Sequence, residues 1–526
     1  MEDRPRASDP SEGPVAFQSL SGLAPILVLA GIFFAILMGA MDSLVVATVL
    51  PTIAGDLHQL NGVTFVVSAY LISSTIAIPI FARLSDISSR RNVFIAGVVI
   101  FIAGSILAGL SQNLTELIVF RGIQGFGGGG VFPVAIAMVA VMFPPTLRAR
   151  VTGVLSGAAG IAIVLGPLLG SYIVSVTTWR WVFYINIPFG VLAVLVLVFA
   201  VGPLRSNAPG RFDVPGAALL TGWVSALMFA LVQVADAGWA WGDPRVLGLL
   251  VGAVVLALGF FVWELRTSEP LVPLRLLKQR AIAAASGSML FSGVVFSSLI
   301  TFLSVFVGAV LLGDSPGSAA SVRDVIYFLA VPLVLGAFLG GQLLVRLSYR
   351  TLIAPSLLGA GLVGLLLVRV TSTSPLWVLV AGFVPVGGLV LPLIPLGFGL
   401  GLAISATTIA VQNEAPASEV GAAIGLTRFL QSLGGAIGLS LLTVFETWRV
   451  GVLSAGATSP AEVTSAFATT FSEIFLILAV CVLLAFACSL FFTGHLPRTA
   501  AEDPEQGGRG TAGVTDPVRP ERLPRP

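Results

Sequence analysis

Long apolar runs, each broken by a short cluster of charge, proline or glycine, recur from residue 25 to residue 493. A bilayer core of about 30 Å asks for roughly 20 apolar residues in one helix. Read on that measure, the runs predict fourteen membrane-spanning helices. They fall at 25–50, 62–82, 92–110, 115–142, 151–175, 181–202, 213–235, 245–264, 281–312, 323–346, 351–370, 376–410, 420–446 and 470–493, the longer runs including interfacial turns. Residues 1–24 are polar, with no short apolar core and no small-residue cleavage site, so the first run reads as a retained anchor rather than a signal peptide. Residues 494–526, rich in Pro, Gly, Arg and Glu, read as a disordered tail.

Composition agrees with a polytopic membrane protein. Of 526 residues, 56% are hydrophobic and 10% charged, against about 45–50% and a quarter in soluble domains. Such a chain cannot coat its own surface in water, which excludes soluble enzymes, nucleic-acid binders and disordered scaffolds. The rare residues narrow the chemistry further. His58, His495, Cys481 and Cys488 are too few and too scattered for a metal cluster. The two cysteines, seven residues apart on one helix and so about 10 Å apart along it, read as packing residues. Lys278, the single lysine, has no glycine-rich turn around it, which argues against a Walker-type ATPase.

Basic residues set an orientation. With the N-terminus inside, inner loops carry Arg83, Arg90, Arg91, Arg148, Arg150, Arg205, Arg211, Arg266, Arg275, Lys278, Arg280, Arg346 and Arg350, thirteen in all. Outer loops carry five: Arg180, Arg245, Arg323, Arg369 and Arg449. The positive-inside rule then places both termini in the cytoplasm. A faint repeat links Ala82–Arg91 to Gly341–Arg350, 259 residues later, with small, Leu, Ser and Arg positions in register. Two six-helix halves with an inserted pair between them account for that offset.

Four stretches carry a family resemblance. Met41-Asp42-Ser43-Leu44-Val45-Val46-Ala47-Thr48-Val49-Leu50-Pro51 resembles the LDxTIVNVALP motif of the fourteen-helix drug:proton antiporter branch of the major facilitator superfamily. Leu117-Ile118-Val119-Phe120-Arg121-Gly122-Ile123-Gln124-Gly125-Phe126-Gly127 resembles its LxxxRxxQGxG motif. Gly153 through Gly166-Pro167-Leu168-Leu169-Gly170-Ser171 resembles the antiporter motif G-x8-G-x3-GPxxGG, with Ala162 and Ser171 at two glycine positions. Ala82–Arg91 resembles the GxLaDRxGRR loop; Leu84, Asp86, Arg90 and Arg91 match, while Ala82, Ile87 and Ser89 depart from it. Trp179-Arg180-Trp181-Val182-Phe183-Tyr184-Ile185-Asn186-Ile187-Pro188-Phe189-Gly190 resembles the branch's WRWxFxxNxPxG run.

The resemblance implies an all-α membrane protein with the major facilitator fold: two pseudo-symmetric six-helix bundles and two inserted linker helices. The domains expected are a cytoplasmic tail (1–24), an N-terminal bundle (25–202), a linker with two helices (203–280), a C-terminal bundle (281–493) and a second cytoplasmic tail (494–526). Asp42 is the single acid well inside a predicted span, where an ionisable group costs about 2.5–3.5 kcal/mol on insertion scales and needs a polar cavity or a partner. By the resemblance, Asp42 and Arg121 couple proton movement to transport. A fixed positive charge favours the ionised carboxylate and so proton release. Asp86, Arg90 and Arg91 would latch the halves, with a merely solvated loop as the competing reading. Gln124, Gly125, Gly166, Pro167 and Gly170 would shape helix contacts and bends, and Gly127–Gly130 reads as close helix packing rather than a phosphate loop. Arg428 on the thirteenth span reads either as a cavity charge or as an inner-leaflet anchor.

The function expected is a proton-coupled exporter of amphiphilic, cationic or neutral small molecules by alternating access, in a bacterial inner membrane. It needs no cofactor beyond the proton gradient. Its partners are the small substrate, protons and membrane lipid, with no nucleic acid. The alternative keeps the fold and changes the cargo to lipid, with a lipoprotein as partner. A membrane-embedded sensor or enzyme is disfavoured, because there are no clustered carboxylates and no soluble domain longer than a loop or tail. No substrate-binding residue is named by the sequence.

Overall fold

The computed structural model describes residues 24–58, 62–63, 65–201, 210–235, 239–307, 318–368, 378–380, 384–386, 390–416, 418–457 and 459–492. The two expected terminal tails lie almost wholly outside the described residues. Fourteen helices there are long and apolar enough to span a membrane. They are α1 (Ile26–Asp56), α2 (Phe65–Ile87), α3 (Arg90–Leu110), α4 (Leu114–Met142), α5 (Leu147–Val176), α6 (Trp181–Ala200), α7 (Val214–Val234), α8 (Pro244–Arg266), α9 (Arg280–Val305), α10 (Val325–Leu343), α11 (Tyr349–Leu367), α12 (Leu391–Glu414), α13 (Val420–Leu453) and α14 (Pro460–Ser489).

Several boundaries differ from the sequence reading: α1 runs on to Asp56 and α14 starts at Pro460, and there are three further differences. Ala82–Ile87 is helical, the last turns of α2, because nothing there breaks a helix until Ser88 and Ser89. The stretch from 376 is not helical at its start: Val378–Val380 and Val384–Val386 pair as two antiparallel strands. Charges that end the apolar run at 446 do not end α13, which continues because Arg449 closes a two-pronged ion pair with Glu473 of α14, at 2.6 and 2.8 Å.

Packing repeats with an offset of eight helices. In the first half α1 lies on α5 and α6, and α4 on α2 and α3. In the second, α9 lies on α13 and α14, and α12 on α10 and α11. The sequence repeat marks the same offset: Ser89 caps α3 by accepting from the Asn92 N–H, and Ser348 caps α11 by accepting from the Thr351 N–H. The halves meet along two seams related by that repeat, α2 on α13 and α5 on α10. The inserted helix α7 packs against α2 and α13 and so covers one seam. There Trp223 meets the Phe429 ring edge-on at 6.0 Å, and Phe229 meets Phe65 at 5.9 Å. Lipid tails are as apolar as leucine, so van der Waals contact between helices has to hold such a bundle together, and glycines serve close approach. A Cβ on Gly127 would strike the backbone of Phe101 on α3, and one on Gly129 the backbone of Ser74 on α2.

Candidate functional site

Asp42 lies midway along α1 and Arg121 two turns into α4. Both are sealed from solvent, at 1% and 0% exposure. Arg121 Nη1 donates to Asp42 Oδ2 and, at 2.7 Å, to Gln124 Oε1. Asp42 Oδ1 accepts from Gln124 Nε2 at 2.8 Å and from Asn186 Nδ2 at 2.9 Å. Ser105 of α3 closes the ring. Its Oγ accepts from Gln124 and Asn186 at 3.0 and 3.1 Å and donates to the Phe183 carbonyl at 2.8 Å. A buried ion pair is favoured by bonds to its remaining polar sites, and four helices supply most of those bonds here. The Arg121 Nε–H goes to the Val66 carbonyl at 3.2 Å, while Nη2 has no partner among the described residues.

Every bond Asp42 makes in this arrangement is an accepted one, as befits a carboxylate. A proton on Oδ1 would enter contacts already filled by two donors, and protonation of either oxygen would strip Arg121 of its counter-charge. Protonation of Asp42 would therefore loosen the side-chain contacts that α1, α4 and α6 share. The consequence reaches further through Tyr70, whose ring lies 4.3 Å under the Arg121 guanidinium and whose hydroxyl donates to the Gly39 carbonyl at 3.1 Å.

Tyr70 is also part of the wall of a cavity of about 310 Å³ between the two halves. Ile36, Phe132, Phe296 and Leu333 make it mostly apolar, and Arg428 and Gln431 on α13 bring polar groups to it. Asp42 and Arg121 do not line the cavity; Tyr70, the ring under the guanidinium, does.

Asp86 sits at the end of α2 on the arginine-rich face. Its carboxylate accepts the N–H groups of Gly421 and Ala422 at 3.0 and 2.6 Å, the free donors of the first turn of α13, and takes Arg90 Nη2 at 3.1 Å. A negative group at a helix N-terminus is the favoured polarity, and here it joins one half to the other. Arg91 does not take part: its Nη1 donates to the Val201 carbonyl beyond α6, at 2.5 Å. The same face carries further cross-links between halves. Thr152 donates to Gln412 at 3.0 Å, Gln412 to the Ile136 carbonyl at 2.8 Å, and Arg148 to Asn413 at 2.8 Å.

The glycines act where helices cross. A Cβ on Gly125 would strike Ser73 and the Tyr70 carbonyl, holding α4 tight on α2. Gly166 faces Leu44, where a Cβ would come within 2.8 Å, and a Cβ on Gly170 would collide with Thr48 Oγ1; both press α5 on α1 next to Asp42. Pro167 between them has no N–H to give the carbonyl four residues back, leaving a soft point in α5. Farther along α5, Gly153 meets Gly341 of α10, so closely that a Cβ on Gly341 would stand 2.8 Å from the Gly153 Cα.

Asn186 and Ser105 are absent from the residues picked out by sequence reasoning, as is Tyr70. For Asn186 a signal existed, its place in the WRWxFxxNxPxG stretch. The same stretch anchors the opposite face, where Trp179 Nε1 and Arg180 both donate to Asp56, at 2.8 and 3.0 Å.

Comparison with known proteins places the chain. Residues 32–439 match the family model described as Major Facilitator Superfamily. The multidrug transporter protein MdtP of Bacillus subtilis is 31% identical over 428 residues, 81% of this chain and 76% of the relative. The tetracenomycin C resistance and export protein of Streptomyces glaucescens is 31% identical over 443 residues, 83% and 79% of the two chains. The solved structure of the proton:xylose symporter XylE aligns with a TM-score of 0.56, covering 86% of this chain and 94% of that one, at 12% identity. At that identity the likeness is one of fold alone, and a symporter sharing the fold leaves the direction of transport to be argued from the site. The chain therefore belongs to the major facilitator superfamily, among transporters of the multidrug efflux type.

Proposed function

We propose that this protein is a proton-coupled antiporter that exports amphiphilic small molecules by alternating access, and that it is not an enzyme. The observation that carries the reading is the enclosed Asp42–Arg121 pair, whose guanidinium rests on the ring of Tyr70, a residue of the wall of the cavity between the halves. Substrate in the cavity and a proton on Asp42 would compete through that ring. Moving Tyr70 disturbs the cation it supports, and discharging Asp42 frees that cation to move. Similarity to proteins named for multidrug transport and antibiotic export supports export as the direction. The Asp86 contacts hold the arginine-rich face shut, and the arginine distribution supports a cytoplasmic position for that face, in what we read as a bacterial inner membrane. The structure then corresponds to a state closed toward the cytoplasm.

The test is transport in proteoliposomes by two dyes that do not titrate near neutrality, pyrenesulfonate and a rhodamine. With the lumen made acidic, at least one dye should accumulate inside, and a protonophore should abolish that accumulation. Accumulation that ignores the protonophore, or that follows an imposed sodium gradient instead, contradicts proton antiport.

A further inference from the structure

Among the described residues the cavity between the halves has one charged residue in its wall, and no carboxylate pairs with it. Arg428 of α13 lies 3.7 Å over the ring of Phe132 on α4, across the interface between halves. Its Nη1 donates to Gln431 Oε1 at 2.7 Å, and its Nε has no hydrogen-bond partner among the described residues. No aspartate or glutamate lines the cavity among the described residues, and Arg428 is in none of their ion pairs. Arg121, the other arginine deep in the bundle, has Asp42. The contrast is one of charge balance: a guanidinium removed from water is tolerated when an anion replaces the lost solvation.

Other features of the wall agree. Ser156 on α5 has a buried hydroxyl with no partner among the described residues and lines the same cavity. The remaining surface is largely aliphatic and aromatic. Phe132 covers one face of the guanidinium; the guanidinium's edge N–H groups, the ones suited to a planar or tetrahedral oxyanion, meet Gln431 and no carboxylate among the described residues.

Resting on the reading of this cavity as the transport site, we propose that its substrate class is an amphiphilic organic anion. A carboxylate, phenolate or sulfonate would sit on Arg428, with Ser156 as a further donor within the same cavity. An apolar, ring-containing body would fill the wall formed by Ile36, Phe296 and Leu333. This departs from the cationic or neutral cargo expected from the sequence: the described cavity offers a cation no carboxylate.

Equilibrium binding tests this without requiring transport, so it separates from the proton-coupling claim. Full-length protein in phosphatidylcholine nanodiscs is titrated with pyrenesulfonate, pyrenemethanol and pyrenemethylammonium, one body with three charges. Energy transfer from tryptophan reports binding. Pyrenesulfonate should bind tightest. Arg428→Gln should weaken it roughly tenfold to a hundredfold, the value of a hydrogen-bonded charge, while changing pyrenemethanol by no more than about twofold. Arg428→Lys should keep most of the preference. Equal weakening of all three ligands in Arg428→Gln would make Arg428 a structural residue and overturn the proposal. So would tighter binding of pyrenemethylammonium than of pyrenesulfonate by the native protein. Repeating the titration in phosphatidylglycerol nanodiscs distinguishes a lipid occupant. Unchanged sulfonate affinity supports a small-molecule site, and loss of the preference assigns Arg428 to a lipid headgroup instead.

Discussion

Asp86→Asn tests the closure of the arginine-rich face. The native carboxylate accepts two backbone N–H groups from the start of α13, and Arg90 approaches the same oxygen that takes Gly421. Asparagine keeps one acceptor oxygen and turns an NH₂ group toward the other N–H, so one inter-half bond is lost and the anion at the helix end disappears. A partly buried charge at a helix terminus contributes up to about 2 kcal/mol, and a hydrogen bond to a charged group about 1.5–3 kcal/mol. These overlap, because they describe the same contact, and a combined loss of roughly 2–3 kcal/mol follows. That moves the closed-to-open equilibrium of this face by about 30- to 150-fold. The neighbouring Thr152–Gln412 and Arg148–Asn413 bonds remain, so the face opens more often without the halves separating. The assay is a spin-label distance measurement between Ser88→Cys, at the end of α2, and Arg350→Cys, at the start of α11, both exposed positions on opposite halves. Cys481 and Cys488 are replaced beforehand. The native protein should show a predominant short distance, and Asp86→Asn a population shifted to longer ones. An unchanged distribution in Asp86→Asn would refute the reasoning and leave Asp86 as a local partner of Arg90.

Further outcomes follow from the same geometry. Arg121→Ala should reduce proton-driven dye accumulation to background while the protein still reaches the membrane, and Arg121→Lys should recover only part, since an ammonium cannot serve Asp42, Gln124 and the Val66 carbonyl with one planar fork; native rates in Arg121→Ala would leave the residue a packing role. Gly341→Val should drive a side chain into the Ala149 carbonyl and Gly153, lengthening the Ser88–Arg350 label distance and lowering transport; a native distance would show that α5 and α10 need not touch to close. Reporters fused after Arg498 and within 203–212 should read cytoplasmic and one near Asp243 external, and an external C-terminus would overturn the orientation drawn from the arginines.

What the sequence disclosed, and what it hid, follows from the physics of each feature. Fourteen spans were legible because apolar run length is a one-dimensional property that the bilayer reads directly. Asp42 and Arg121 stood out because a charge inside an apolar run is costly and needs a reason. The helical state of Ala82–Ile87 was not legible: its polar and charged residues look like a loop, yet polarity there serves contact with α13 rather than with water. Nor was the extension of α13 past Glu446, since the partner that keeps Arg449 in place, Glu473, comes from another helix. Asn186 lies 144 residues from Asp42, and only the crossing of α1 and α6 makes them neighbours. Arg428 was visible as a charge, but its lack of a counter-ion is a property of the assembled cavity.

The central claim is that Asp42 carries the proton that substrate displaces. Detergent-solubilised native protein, in weakly buffered solution with a pH-indicating dye, should release protons when pyrenesulfonate or rhodamine binds. Asp42→Asn retains the side-chain shape and one accepting oxygen but has no titratable proton, and it should bind ligand with no release. Equal proton release from the native protein and Asp42→Asn would contradict the account and place the proton site elsewhere in the bundle.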